Sequence, residues 1–372
     1  MMNREKIASF FKRESSVSFM SSILAIIAGM LFGFILMLIF VPSDAWAGLK
    51  IIITGAAQDG NKSFGNFLYY SAPLIVTGLS VGFAFKTGLF NIGATGQFTV
   101  GGFAAIFVGV RWTFIPDPLH WVVALIVAVL VGMIWGLIPG LLKAFLNVHE
   151  VVATIMLNYI GMYLVVLGVK RFVFNELYSQ STNIVSSAAI PKMGLQYLFP
   201  DSSVSGGIFI AILAVIIIYI VLEKTTFGYQ LKAVGYNKDA AKYAGINEKA
   251  SIIYSMSIAG ALSGLAGAIV FLSTSGTHIS TTYVLMGEGF EGIAVALLGL
   301  SHPFGVLAAG IFFGYIKNSG FYLQELAFTK EVIAIIISSI IYFSALSLIF
   351  KKFIGIFFKK KKEKTEKIGD DE

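Results

Sequence analysis

Apolar runs of about 20 residues, separated by short polar segments, recur along the whole chain. Runs of that length suit helices that cross a bilayer. They fall near 19–41, 67–85, 119–141, 151–169, 206–222, 252–272 and 331–350. Two other stretches are less regular. Residues 88–110, "GLFNIGATGQFTVGGFAAIFVGV", are apolar but interrupted by Asn91, Gln97 and several glycines. That pattern predicts a span or a broken, partly re-entrant helix. Residues 289–316 are too long for one straight span and break at "SHPFG", where Pro303 lacks a backbone donor. Two short helices are expected there. The expected fold class is all-α, a polytopic membrane protein of about ten transmembrane helices including broken or re-entrant ones. The first run is read as an uncleaved span, because it has spanning length and no small-residue cleavage site.

Charge then assigns sides. The arm at 1–18 carries Arg4, Lys6, Lys12 and Arg13. The segment 223–249 carries Lys224, Lys232, Lys238, Lys242 and Lys249, and the tail at 351–372 carries Lys351, Lys352 and the run Lys359 to Lys362. Lysine and arginine concentrate on cytoplasmic flanks, so both termini and the 223–249 loop are expected inside. Between arm and tail, residues 19–350 form one membrane-embedded body. The far tail, 359–372, is charged and expected to be disordered.

Composition narrows the class further. With 57% hydrophobic and 13% charged residues among 372, the chain lacks the polar surface of a soluble domain. The net charge of +7 sits beside hydrophobic segments, which points to anionic membrane lipid and not to nucleic acid. Cysteine is absent, which excludes disulfides and thiolate-bound metals. The histidines at 120, 149, 278 and 302 have no metal-ligand spacing, so no metal site is expected.

Candidate chemistry lies where polar groups enter apolar runs. In "HEVVATIMLNYIGMYLVV", Glu150, Thr154 and Asn158 recur at intervals of four and share one helical face. Such a stripe lines a passage or supplies interhelical hydrogen bonds. Glu150, near a membrane surface, also suits a helix start. Asn91 and Gln97 fall in the glycine-broken stretch, where amides that donate and accept at once suit nucleobases or sugar hydroxyls. Glu288 and Glu291 suit an outer mouth or a solvated turn. "GLSVG" at Gly78 and "GALSG" at Gly260 fit the nucleophile-elbow pattern, but no strand or His/Asp pair accompanies them. Close helix packing is expected at both, and at Gly132/Gly136 and Gly310/Gly314.

The loop "EKTTFGYQLKAVGYNKDAAKYAGINEKAS" is longer than a turn needs. "KDAAKYAGI" predicts a short helix with Asp239 near its start and Gly245 past its end. Asp239-Ala240-Ala241, three residues and then Gly245 resemble the E-A-A-x-x-x-G coupling loop of ABC importer permeases, with Asp in place of Glu. With "GLFNIGATGQFTVGGFAA" and "HEVVATIMLNYI", the chain resembles the sugar, nucleoside and branched-chain amino-acid permease family over 67–345. Within it, the likeness is to the nucleoside branch encoded beside basic membrane lipoproteins.

The resemblance implies a bacterial plasma-membrane subunit forming a path for a purine or pyrimidine nucleoside. It implies a second homologous permease in a heterodimer, a cytoplasmic ATP-binding subunit docking on Asp239, Ala240, Ala241 and Gly245, and an extracellular substrate-binding lipoprotein. The chain has no GxxxxGK[ST] phosphate loop, so ATP and Mg²⁺ belong on the partner ATPase and no cofactor is expected here. A simple sugar is the alternative cargo. An ion-coupled secondary transporter would carry more charge in its spans. An intramembrane enzyme lacks a catalytic constellation.

Overall fold

The computed structural model describes residues 14–273, 277–346 and 349–352. The basic arm residues Arg4, Lys6, Lys12 and Arg13, and the tail from 353 onward with Lys359 to Lys362, lie outside the described residues.

The architecture is all-α. Fourteen helices occur among the described residues: α1 Glu14–Phe40, α2 Ala45–Thr54, α3 Asn61–Lys86, α4 Ala94–Arg111, α5 Leu119–Leu146, α6 Glu150–Phe172, α7 Leu195–Leu198, α8 Gly207–Lys224, α9 Thr226–Tyr236, α10 Lys238–Tyr243, α11 Glu248–Phe271, α12 Glu288–Leu298, α13 Pro303–Tyr322 and α14 Lys330–Ala345. Among the described residues the sheet content is one hairpin of two-residue strands, Phe174–Asn175 against Gln180–Ser181. Seven helices are long and apolar enough to cross a membrane: α1, α3, α5, α6, α8, α11 and the stretch begun by α14. Each matches an expected span.

The irregular stretches resolve as follows. Residues 88–110 become one helix, α4, preceded by non-helical chain after α3. Residues 289–316 become α12 and α13, broken at "SHPFG" as the proline requires, with His302 before the first turn of α13. The short α2 and the extra helix α9 had no counterpart in the apolar pattern. They are too short to register in a 20-residue window.

Hydropathy alone does not rank the helices by position. Most of α3 and α11 is buried inside the chain, while α1 and α5 present most of their surface outward. Burial in α3 and α11 is carried by small and hydroxylated residues. Gly132 and Gly136 of α5 lie against Gly260 and Gly264 of α11, so close that a Cβ on Gly132 would stand 2.5 Å from the Gly260 carbonyl oxygen. Gly310 and Gly314 of α13 press on Ile75 and Ser71 of α3 in the same way. In a bilayer such contacts replace the hydrophobic effect as the packing force. The serine of "GLSVG" sits mid-helix in α3. Its hydroxyl donates to the Ala259 carbonyl at 2.6 Å and accepts from Ser263 at 2.8 Å, which ties α3 to α11.

A second core gathers α1, α2, α13 and α14 around Met37, Ile52, Phe328 and Ile336. The half-length α12 is wedged between α3 and α4. A Cβ on Gly292 would meet Thr77, and one on Gly289 would meet Thr95 at 2.4 Å.

Candidate functional site

The break between α3 and α4 is held by amides. Asn91 Nδ2 donates to Gln97 Oε1 at 2.9 Å, and Gln97 Nε2 donates back to Asn91 Oδ1 at 3.3 Å. Six residues would separate them on an ideal helix. The non-helical turn folds Asn91 back over the first turn of α4 and brings the two together, fully buried.

Asn158 of α6 holds the same break from the other side. Its Oδ1 accepts from the Gly96 N–H at 2.8 Å, and its Nδ2 donates to the Ile92 carbonyl at 3.0 Å. One amide thus satisfies a donor and an acceptor that the missing helical turn leaves without intrahelical partners. Thr154, one turn earlier, packs on Gly93, where a Cβ would stand 2.9 Å from the threonine Cβ, and its hydroxyl returns to the Val151 carbonyl. The stripe divides at Glu150. That carboxylate pairs with Lys143 of α5 at 2.8 Å, and His149 caps α6 by accepting the Val151 N–H on Nδ1. An acid in a first turn also meets the positive end of the helix dipole.

This geometry sets an expected outcome for Asn158→Leu. The leucine fits the bilayer but leaves the Gly96 N–H and the Ile92 carbonyl unpaired, at about 1–3 kcal/mol for each orphaned group. The detergent-solubilised protein should melt lower than wild type. An unchanged melting temperature would show that the break does not need its clamp.

The lysine-rich end of the bundle is built from α9, α10 and the start of α11. Each begins with a side-chain cap: Thr225 accepts from Gly228, Asn237 from Ala240, and Asn247 from Ala250. Asp239 lies in the first turn of α10 and, like Ala240, is exposed, whereas Ala241 is buried. Gly245 stops the helix at φ +82°. The Gly245 N–H bonds the Lys242 carbonyl and the Ile246 N–H bonds the Ala241 carbonyl, both at 3.0 Å. That pair of bonds is a Schellman stop, and its left-handed residue favours glycine. Tyr229, Tyr236 and Tyr243 project outward beside it, the last two above nine-tenths exposed.

These helices stand directly on the α3–α4 break. A Cβ on Gly235 would lie 2.3 Å from the Lys86 carbonyl oxygen. One on Gly88, itself at φ +73°, would lie 3.2 Å from the Gly235 carbonyl oxygen. Backbone thus touches backbone between α9 and the turn that leads to Asn91. The apolar pattern held no sign of this contact, since only the paired glycines mark it.

A third polar group lies inside the bundle. Lys317 of α13 pairs with Glu291 of α12 at 2.7 Å. By its sequence Glu291 suits an outer mouth or a solvated turn, and Lys317, just past the expected short helix, has no role assigned to it. The signal available was a single lysine within an otherwise apolar run.

Residues 63–349 match the family of branched-chain amino acid transport system permease components. The chain belongs to that permease family. It is similar to the guanosine ABC transporter permease protein NupP of Bacillus subtilis, 37% identical over 90% of this chain and 94% of NupP. It is also similar to the nucleoside ABC transporter permease protein NupB of Lactococcus lactis, 34% identical over 88% of this chain and 90% of NupB. A second nucleoside permease protein of that organism, NupC, is 26% identical over 72% of this chain and 84% of its own length. No solved structure matches the chain. A permease of this family is a multi-pass membrane transport subunit and not itself an enzyme.

Proposed function

We propose that this chain forms the translocation path for a purine or pyrimidine nucleoside in an ATP-driven importer. The observation that carries the reading is its identity of 34–37% to a nucleoside and a guanosine permease over nearly the full length of both partners. A second permease subunit is part of the reading, because NupB and NupC are two such proteins of one organism. An extracellular lipoprotein supplies the cargo. A cytoplasmic ATPase, which binds ATP and Mg²⁺, docks on the α10 end through Asp239, Ala240 and Gly245. Ala241 anchors that helix to the bundle.

In this reading α4, α12 and α13 also pass through membrane depth, which with the seven apolar spans makes ten. The lysine-rich end is cytoplasmic. Lys86, Lys143, Lys232 and Lys249 gather there: Lys143 ends α5, Lys232 pairs with Glu223, and Lys249 sits over Phe145. Asn91, Gln97, Thr154 and Asn158 keep the α3–α4 break at the edge of the passage. Glu150 holds the neighbouring helix start.

Two measurements test it. The complex reconstituted in liposomes with its lipoprotein should accumulate labelled nucleosides and not glucose when ATP is supplied inside. Accumulation of glucose alone would replace the cargo. For orientation, Lys238→Cys should resist an impermeant thiol reagent added outside whole cells and react once the membrane is opened. The native chain has no cysteine, so the background is nil. Labelling from outside would invert the topology and remove the docking assignment with it.

A further inference from the structure

The interior ion pair has a position that gives it meaning. The last turn of α12 ends near His302, whose ring stands 6.1 Å from that of Tyr219 in α8, close to the lysine-rich end. Lys224, the last residue of α8, lies over the same Tyr219 ring. From there α12 has 11 residues, a rise of about 16 Å. The hydrocarbon core is about 30 Å thick, so a helix of that length starting from the lysine-rich end has its first turn within membrane depth. Glu288 and Glu291 sit on that first turn.

Lys317 reaches Glu291 there, Glu288 lies one turn before Glu291 on the same helix, and Tyr70 of α3 precedes the Ser71 that packs on Gly314, one turn before Lys317. Glu288 itself makes no hydrogen bond or ion pair among the described residues, and it is partly exposed. The Glu291 and Lys317 side chains keep 24% and 23% exposure. Charged groups within membrane depth do not face hydrocarbon, because the cost is several kcal/mol even with snorkelling. Their open side therefore faces water or a polar partner. Packing does not account for them either, since a buried pair is often no more stabilising than well-packed apolar residues.

We infer that Glu288, Glu291, Lys317 and Tyr70 form a recognition site for an uncharged, donor-rich solute in the passage. The inference rests on the nucleoside reading above and gives it a location. Two carboxylates and one ammonium leave a net negative site. It accepts hydrogen bonds from sugar hydroxyls or an exocyclic amine, offers one donor to a ring nitrogen or carbonyl, and repels a phosphorylated solute. The Tyr70 ring adds an apolar face for a base.

The test uses the complete complex in liposomes. Glu288→Gln removes a charge that makes no hydrogen bond or ion pair among the described residues. Labelled guanosine uptake should fall about tenfold or more, while melting temperature and lipoprotein-stimulated ATP hydrolysis stay near wild type. The double variant Glu291→Gln with Lys317→Met removes both members of the pair and leaves only the partly exposed Glu288 charged. It too should stay folded and lose uptake. Glu288→Cys should react with an impermeant, positively charged methanethiosulfonate, and turnover with guanosine-loaded lipoprotein should slow that reaction. Normal uptake by both Glu288→Gln and the double variant overturns the site, as does a Glu288→Cys thiol that reacts without protection or not at all. If wild type carries no guanosine or other nucleoside, the cargo reading fails, and thiol protection with the solute it does carry then decides the site separately.

Discussion

Gly260→Leu leaves almost no folded protein in the membrane. The reason is the distance between α5 and α11. A Cβ at position 260 would stand 2.3 Å from the Gly132 carbonyl oxygen and 2.9 Å from the Gly136 Cα, with rigid helical backbone on both sides. Neither atom can swing aside as a side-chain tip would. The helices must separate, and separation also strips contacts from Gly264 and Gly101, which pack at the same crossing. Overpacking in a soluble core costs about 1–3 kcal/mol, and a crossing without flexible neighbours lies at or beyond the upper end. The effect should be graded. Gly260→Ala should lower the melting temperature, and Gly260→Leu should abolish the monodisperse peak after detergent extraction. A monodisperse Gly260→Leu protein with wild-type melting would mean that α5 and α11 are not in backbone contact.

Gly245→Asp abolishes uptake and leaves the protein folded. At φ +82° most side chains are strained, but Asp and Asn enter the left-handed region more readily than others. No atom lies within 4 Å of a Cβ built there. The fold therefore accepts the aspartate, and any loss must come from what binds over this surface. A carboxylate just past the end of α10, the helix that carries Asp239 and the exposed Tyr243, changes the charge offered to the ATPase. Gly245→Asn serves as the control, since it meets the same backbone demand without charge and should retain most uptake. Pull-down of the ATPase with each variant, beside uptake per molecule, separates docking from later steps. Full uptake by Gly245→Asp would remove α10 from the coupling surface.

Long-range contacts divide what was legible from what was not. The seven apolar spans, the proline break before α13 and the Asn-capped, glycine-stopped α10 are local matters. Length of apolar run, a missing donor and a left-handed stop act within one or two turns, so residue order settles them. The GxxxG pairs also announced close packing, although not their partners.

The polar residues show the other case. Glu150, Thr154 and Asn158 share a helical face by spacing alone, yet they do different work. Glu150 meets Lys143 of α5, while Thr154 and Asn158 meet the turn before α4. Asn91 and Gln97 seemed unable to act together at a separation of six, until the non-helical turn joined them. Lys317 looked like a chance lysine until α12 brought Glu291 to 2.7 Å from it.

The chain's order of residues thus determined that this is a bundle of membrane helices, where they break, and which end carries the short capped helix. Tertiary structure alone decided which helices are central, which amide holds which break, and where charge sits inside the bundle. The physical reason is range. Hydrophobicity and backbone stops are properties of a few consecutive residues. A hydrogen bond or ion pair exists only when two distant segments arrive within about 3 Å in the right orientation, and no periodicity in either segment records that meeting.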